Sequence, residues 1–467
     1  MVKLSLPFQF FALGLIGLTS GASYSPSLDI NDFNALQAAT TAALKNLMSY
    51  YVPNSAGSLS QVQTPWHESM MMWWMHMDYA KYTGDIQFLD IVTGALVNTT
   101  YGKEADFLGG SMASLAETLM GKWNDDILWG SLATVSGAEI FGPRTDMPGG
   151  GPWIEVAHKT YDQTYEQWDN ECGGGIYWSR DRNGKSAPYK SLITQLQFTM
   201  AGARIFLQTQ NNTALELTKK TMDWVFSSGL GNKQTGMLYD GMNAGACGQF
   251  TSHLWSYNYG QLLGSLVWLH KATGEQSYLD LVGPFYSYAD ATFSGQNNSG
   301  IITEICEPNA KCNRDQQGFK AIYVRNLAYV YRGVSDQKIK DSIKKNIDTS
   351  LNAMISNSCD KDWNCGGNWT TDTQPVKYVR SQHVSASLLV AALGVHSNPG
   401  DDGLLPKLSA GTLTDTTNGA AGLSGGGTKN TGSVSSKPLG AATGLDPRAY
   451  QIAVIVALAF SITLLYM

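Results

Sequence analysis

The segments TGDIQFLDIV (83–92) and TGEQSYLDLV (273–282) echo one another at two distant places in the chain, each directly after a stretch rich in aromatic residues. Gly84 and Gly274 are placed to end a helix in the left-handed conformation, which glycine adopts without a Cβ penalty. Phe88 or Tyr278 would then begin the packing of the next helix. A looser third copy spans Gln208 to Trp224. Helix, tight turn and helix, repeated along a chain, predicts helical hairpins stacked side by side. The segments 191–207, 215–226, 255–270 and 339–355 carry apolar residues at three- and four-residue spacing, and few stretches alternate with the period of two that strands need. The expected fold is all-α, a toroid of helical hairpins in one domain over residues 23–400.

The flanks read differently. Residues 1–22 open with Lys3, run apolar from Leu6 to Leu18 and finish on small residues at Ala22, the layout of a cleaved signal peptide. The apolar run is short and interrupted by Gly14 and Gly17, which argues against a membrane-spanning helix. Residues 401–440 are rich in Gly, Ser and Thr, with too few large apolar side chains to build a core, and read as a flexible stalk. The small triplet Gly440, Ala441, Ala442, a polar spacer and the uncharged tail QIAVIVALAFSITLLYM (451–467) together specify a GPI-attachment signal. Gly440 is the expected lipidated residue, with 441–467 removed. No basic residue follows the tail, as an ordinary membrane anchor would require. The expected location is the outer leaflet of the plasma membrane or the cell wall.

All six cysteines lie between these flanks, which suits disulfides in an oxidising compartment. The short spacings Cys306 to Cys312 and Cys359 to Cys365 suggest two local loops, leaving Cys172 with Cys247. No C-x-x-C pair or histidine cluster supports zinc, and neither a metal nor a cofactor is expected. Asn98, Asn211, Asn297 and Asn368 are N-x-S/T glycosylation acceptors. A formal net charge of -6 argues against nucleic acid and anionic lipid as partners. Thirteen tryptophans and 22 tyrosines are many for this length, and flat aromatic rings suit the apolar faces of pyranoses, although most of them belong to the core.

The chemistry centres on KWNDDILWGSLA (122–133), where Asp125 and Asp126 stand side by side at the expected start of a helix, with Asn124 as a possible cap. Glycoside cleavage needs two carboxyl groups, one to protonate the leaving oxygen and one to attack or stabilise the anomeric carbon. Two acids this close raise one another's proton affinity, so that one stays protonated as the acid. The competing reading is structural: acids in a first turn cap a helix and complement its dipole. Downstream, WDNECGGGIYW (168–178) is a glycine-rich turn between aromatics, suited to pressing on a ligand, with Trp168 and Asp169 at its edge. It lacks the patterns of a phosphate-binding loop. HLWSYNYGQL (253–262) offers Tyr257, Asn258 and Gln261 to sugar hydroxyls, with capping and core packing as the ordinary alternatives.

Taken together, WNDDILW, WDNECGGGIYW, SYNYGQLLGSL and the opening WHESMMMWWMHMDYAKYTGD resemble glycoside hydrolase family 76, the endo-α-1,6-mannanases, over roughly Leu28 to Val395. With the signal peptide and GPI tail, the chain is similar to that family's fungal cell-wall members. The resemblance implies an (α/α)6 barrel and a retaining mechanism with Asp125 as nucleophile and Asp126 as general acid and base. Asn124, Trp168, Asp169, Tyr257 and Asn258 are then expected to contact the substrate. It further implies α-1,6-linked mannose glycans as substrate, a GPI core among them, and transfer of GPI proteins to cell-wall β-glucan. Plain hydrolysis of mannan is the alternative, and a non-catalytic wall protein that binds glycan is a second. Gly130 departs from the pattern, in which a second bulky residue follows the tryptophan, and is expected to alter packing locally.

Overall fold

The computed structural model describes residues 25–53, 57–60, 63–100, 106–108, 123–182, 188–295, 299–371, 378–397 and 404. The signal peptide, stalk, Asn297, Gly440 and the apolar tail lie outside the described residues. Six helices form an inner ring: α2 (Trp66–Thr83), α4 (Asn124–Phe141), α6 (Leu192–Thr209), α8 (Ser256–Thr273), α11 (Phe319–Gly333) and α13 (Val379–His396). Each packs on the next, and α13 packs on α2 to close the circle. The outer helices are α1 (Phe33–Met48), α3 (Leu89–Asn98), α5 (Trp153–Tyr165), α7 (Asn212–Ser227), α9 (Gln276–Asp280), α10 (Val282–Phe293) and α12 (Gln337–Ser358). Here α1 backs α13, α3 backs α2, α5 backs α4, α7 backs α6, α9 and α10 back α8, and α12 backs α11 and α13. This is the toroid of helical hairpins expected from the sequence, in the (α/α)6 form that the resemblance implied.

The echoed motifs do the same work twice. Gly84 and Gly274 stop α2 and α8 in nearly identical left-handed conformations, φ 74° and ψ 0° or 1°. Phe88 and Tyr278 are buried just beyond them. The third copy ends α6 with Gln210 at φ 58°, a side-chain-bearing residue in the same backbone state, before Asn211 caps α7 through the Ala214 N–H. Gly130 makes room for Phe107, whose ring would lie 2.5 Å from a Cβ there. A small antiparallel sheet was not anticipated: β1 (Tyr189–Ser191), β2 (Gly241–Asn243) and β3 (Phe250–Thr251), with Tyr189 opposite Asn243 and Gly241 opposite Thr251. Strands this short leave no periodic trace. The three disulfides pair as the spacing suggested, Cys172–Cys247, Cys306–Cys312 and Cys359–Cys365.

The inner helices are buried on nearly every side, so their polar residues must find partners inside the ring. Lys81 of α2 and Arg204 of α6 both bind Glu139 of α4. Arg325 of α11 binds Asp78 of α2, which also accepts the Tyr329 hydroxyl. Arg380 of α13 grips Glu68 of α2. The guanidiniums of Arg325 and Arg204 lie 4.1 Å and 4.9 Å from the rings of Trp74 and Trp268, which turns aromatic area into further stabilisation of buried charge. Burial alone would push Glu139 up, but Arg204 and Lys81 outweigh it and hold its carboxyl below the usual range. Replacing Glu139 with Gln strands two buried cations. The expected cost is about 3–5 kcal/mol of unfolding free energy, read from guanidinium denaturation.

Candidate active site

Residues near the starts of the inner helices meet: His67 of α2 with Asp126 of α4, Gln197 of α6 with Asp125, and Asn258 of α8 with Leu192 of α6 on Asp240. Tyr257 of α8 likewise meets Phe319 of α11, and Arg380 of α13 meets Glu68 of α2, so their N-termini share one end of the barrel. None of the six is closed by a side chain at its own N-cap. The helix dipoles there favour negative charge. Asp125 and Asp126 occupy the second and third positions of α4 at this end. Trp123, not Asn124, is the N-cap; Asn124 is the first helical residue and fully buried. Its backbone N–H donates to the Trp178 carbonyl at 2.8 Å and its amide nitrogen to that of Tyr177 at 2.7 Å. Its side-chain oxygen accepts from Arg180 at 2.6 Å. Asn124 therefore fastens the helix start to the strand-like stretch 177–180 instead of reaching into the cleft, because every polar group it has is committed behind the dyad.

Burial and the adjacent Asp126 push the Asp125 carboxyl up to about 8, against the pull of Trp178, His67 and the Asp126 N–H. Asp126 is pushed up to about 7, first by burial and then by Asp315, against the pull of the Trp123 backbone N–H and Arg314. The Trp123 contact is a capping-box interaction, so the structural role of the acid pair and its perturbed ionisation coexist. The dyad thus holds a proton near neutral pH. Each carboxyl is pulled both ways: Asp126 raises and Trp178 and His67 lower Asp125, while Asp315 raises and the Trp123 N–H and Arg314 lower Asp126, so the neighbours do not single out one carboxyl for the proton.

Beside the dyad lies a cleft of about 550 Å³, lined by Trp178, the small sheet through Tyr189, Asn243 and Phe250, and Asp240 and Tyr257. Tyr257, expected at the site, is there, its ring stacked on Phe319 with centroids 4.0 Å apart. Asn258 is only 2% exposed and donates to Asp240 at 2.9 Å, so it acts on the cleft through that carboxylate. Asp240 also accepts the Tyr189 hydroxyl at 2.9 Å. Burial pushes its carboxyl up, against the pull of those two partners. No motif singled out Asp240, and nothing local distinguishes LYDGM from an ordinary turn. His67 was likewise missed; its Nδ1 lies 3.3 Å from the Asp126 Oδ1.

Other expected residues sit elsewhere. Gln261 is fully buried against Met200 and belongs to the core. Trp168 lines a separate cavity of about 460 Å³ with Gly173 and residues of α7. Asp169 binds Lys190 at 2.6 Å and Arg182 at 3.4 Å, tethering the glycine-rich loop. The loop presses on protein: a Cβ at Gly174 or Gly175 would come within 2.5 Å of the ring of Trp168 or Trp224. Asn98 is exposed at the end of α3, and Asn368 is half-buried. Asn211, half-buried, caps α7, which accounts for that asparagine without a glycan.

The sequence pattern of glycosyl hydrolase family 76 matches residues 35–400. Mannan endo-1,6-alpha-mannosidase DCW1 of Candida albicans is 25% identical over 398 residues, 82% of this chain and 85% of that one. Mannan endo-1,6-alpha-mannosidase DFG5 of Saccharomyces cerevisiae is 26% identical over 415 residues, 85% and 87% of the two chains. Among solved structures, Dfg5 from Chaetomium thermophilum in complex with glucosamine superposes with a TM-score of 0.67 at 23% identity, covering 79% of this chain and 91% of that one. An α-1,6-mannanase of Salegentibacter superposes at 0.63 with 17% identity, covering 77% and 99%; it is an inactive variant with two consecutive aspartates changed to asparagine, in complex with α-1,6-mannotriose. These superpositions carry the fold.

The dyad's ionisation has a consequence for stability. Both carboxyls are raised above their unfolded values, so the folded state holds more protons than the unfolded chain between about pH 4 and the folded values near 7 and 8. Stability is then lost as pH rises through that window. The double variant Asp125→Asn, Asp126→Asn should exceed the native protein in unfolding free energy at pH 8, by an amount that shrinks steadily as pH falls. The gap should close below pH 4, as followed by urea denaturation across the range.

Proposed function

The chain belongs to glycosyl hydrolase family 76, and on that footing we propose that it is a mannan endo-1,6-α-mannosidase that cleaves α-1,6-linked mannose glycans with retention at the anomeric carbon. The observation that carries this reading is the proton-sharing dyad, Asp125 and Asp126, beside an aromatic-lined cleft. Its curated relatives bear that activity in their names. In the mechanism, Asp126 gives its proton to the glycosidic oxygen as the Asp125 carboxylate attacks the anomeric carbon and the C–O bond breaks. Asp126, now ionised, takes a proton from the acceptor hydroxyl as that oxygen displaces Asp125. Tyr257, Asp240 and Trp178 supply a stacking face and hydrogen bonds to sugar hydroxyls. No step needs a cofactor.

The finer reading concerns the acceptor. A covalent glycosyl-enzyme is open to water or to a sugar hydroxyl, so the same residues serve hydrolysis and transfer. We favour transfer: a GPI-anchored protein at the cell surface, lipidated at Gly440 and lifted on the 401–440 stalk, meets the mannose glycan of other GPI proteins and a β-glucan acceptor at once. The three disulfides suit that oxidising location, and N-glycans at Asn98, Asn211, Asn297 and Asn368 belong to the same picture. Incubating the enzyme with an α-1,6-mannan oligosaccharide, with and without β-glucan, separates the readings by mass spectrometry. A heavier mannose–glucan conjugate is expected; free mannan fragments alone would leave a plain mannanase. Asp125→Asn should lower turnover by at least about 10³-fold while the protein stays folded. A glycan-binding wall protein would release no product and bind the oligosaccharide regardless of either aspartate.

A further inference from the structure

His67 is the second residue of α2 and stands at the cleft end of the barrel. Its Nδ1 lies 3.3 Å from the Asp126 Oδ1, with the two side chains only 19% and 14% exposed. Candidate donor atoms of His67, Glu68 and Asp315 all fall within 4.8 Å of one another. Glu68 turns both carboxylate oxygens to the Nε of Arg380, each at 3.0 Å, so its charge is compensated from α13. Asp315 is accompanied by Arg314 at 3.1 Å, in the stretch just before α11. The charged groups around the imidazole are therefore Glu68 on its own helix, Asp125 and Asp126 on α4, Asp315 and Arg314, and Arg380 behind Glu68. Burial lowers the proton affinity of the ring against the pull of Glu68, Asp125 and Asp315, which leaves it neutral, with one N–H and one lone pair.

We propose that His67 is a positioning residue for Asp126: its imidazole spans the dyad and Asp315 and keeps the Asp126 carboxyl aimed at the glycosidic oxygen. This rests on the reading of Asp126 as the acid. In the first step the Asp126 proton leaves with the glycosidic oxygen, the anomeric C–O bond breaks and the bond to Asp125 forms. The Asp126 carboxylate left behind accepts the His67 Nδ1–H. In the second step the acceptor hydroxyl returns a proton to Asp126, its oxygen bonds to the anomeric carbon, and Asp125 departs. His67 neither gains nor loses a proton over the cycle. Its contribution is orientation and a hydrogen bond to the charge that appears midway, the kind of contact that acts on the transition state more than on substrate binding.

The test uses His67→Ala, His67→Asn and Asp126→Asn, each on two donors: an α-1,6-mannan oligosaccharide, and a dinitrophenyl glycoside of α-1,6-mannobiose whose leaving group departs without protonation. His67→Ala should lower kcat on the oligosaccharide about 10²-fold with KM within about twofold, yet lose less than about threefold in formation of the glycosyl-enzyme from the dinitrophenyl donor. His67→Asn, whose amide nitrogen can stand where Nδ1 stands, should recover at least about tenfold of the oligosaccharide loss. Equal losses on both donors, or no loss on the oligosaccharide, would overturn the proposal. Asp126→Asn is the control for the underlying assignment: if the dinitrophenyl donor fails to restore glycosyl-enzyme formation there, the role of Asp126 as the acid falls and takes the His67 proposal with it, whereas restoration there with equal His67→Ala losses on both donors overturns the His67 proposal alone.

Discussion

Three charged residues on one helix, Glu68, Asp78 and Lys81 of α2, are buried, and each must meet an opposite charge from another inner helix. Glu68 takes Arg380 of α13, Asp78 takes Arg325 of α11, and Lys81 shares Glu139 of α4 with Arg204 of α6. Five of the six inner helices are bound into one electrostatic arrangement, and only the closed ring satisfies it. Against well-packed apolar residues such pairs add little net stability. A ring assembled out of register would leave bare charges in its interior, at about 3–5 kcal/mol each. The network thus acts by making the wrong arrangements expensive, and one of its contacts, Glu68 to Arg380, lies next to His67 at the end that carries the acid pair.

That end is where the N-termini of the inner helices meet. Six inner helices begin there without a side-chain cap of their own, so their dipoles favour negative charge while burial in the same place opposes it. Asp125 and Asp126 sit at the meeting of these two effects, and burial wins: both carboxyls hold protons far above their ordinary range. The connecting segments supply the rest. The three-stranded sheet brings Tyr189 and Asp240 to the wall of the cleft, and the stretch that follows the Cys306–Cys312 disulfide carries Arg314 and Asp315 within electrostatic reach of Asp126. The acid pair is mounted on the end of a helix locked into this ring by buried ion pairs, which is how one barrel holds two acidic side chains at an energetic cost to the fold.

Much of this was legible before the chain was folded. The helix periods of 191–207 and 255–270 became α6 and α8 within a few residues, and the glycines at 84 and 274 ended their helices as local backbone chemistry demands. Two adjacent aspartates were visible as candidates, and Tyr257 reached the cleft because the start of a helix is a local feature. Trp168, Asp169 and Gln261 lie away from that cleft for a common reason. Aromatic, acidic and amide side chains look the same in sequence whether they face a ligand, a lysine or the core. Lys190 took Asp169, and the core took Gln261.

By itself, then, the sequence determined what is decided within a few residues along the chain: helix periods, left-handed stops, closely spaced cysteines, and an acid pair at a helix start. The tertiary structure decided which distant groups meet. Arg380 binds Glu68 across 312 residues, Asn258 turns to Asp240, and His67 comes to Asp126 from another helix. It also decided the ionisation of the acid pair. A carboxyl's proton affinity follows from how completely water is removed and which charges replace it, and both are set by the closed ring as a whole, not by the neighbours of Asp125 in the chain.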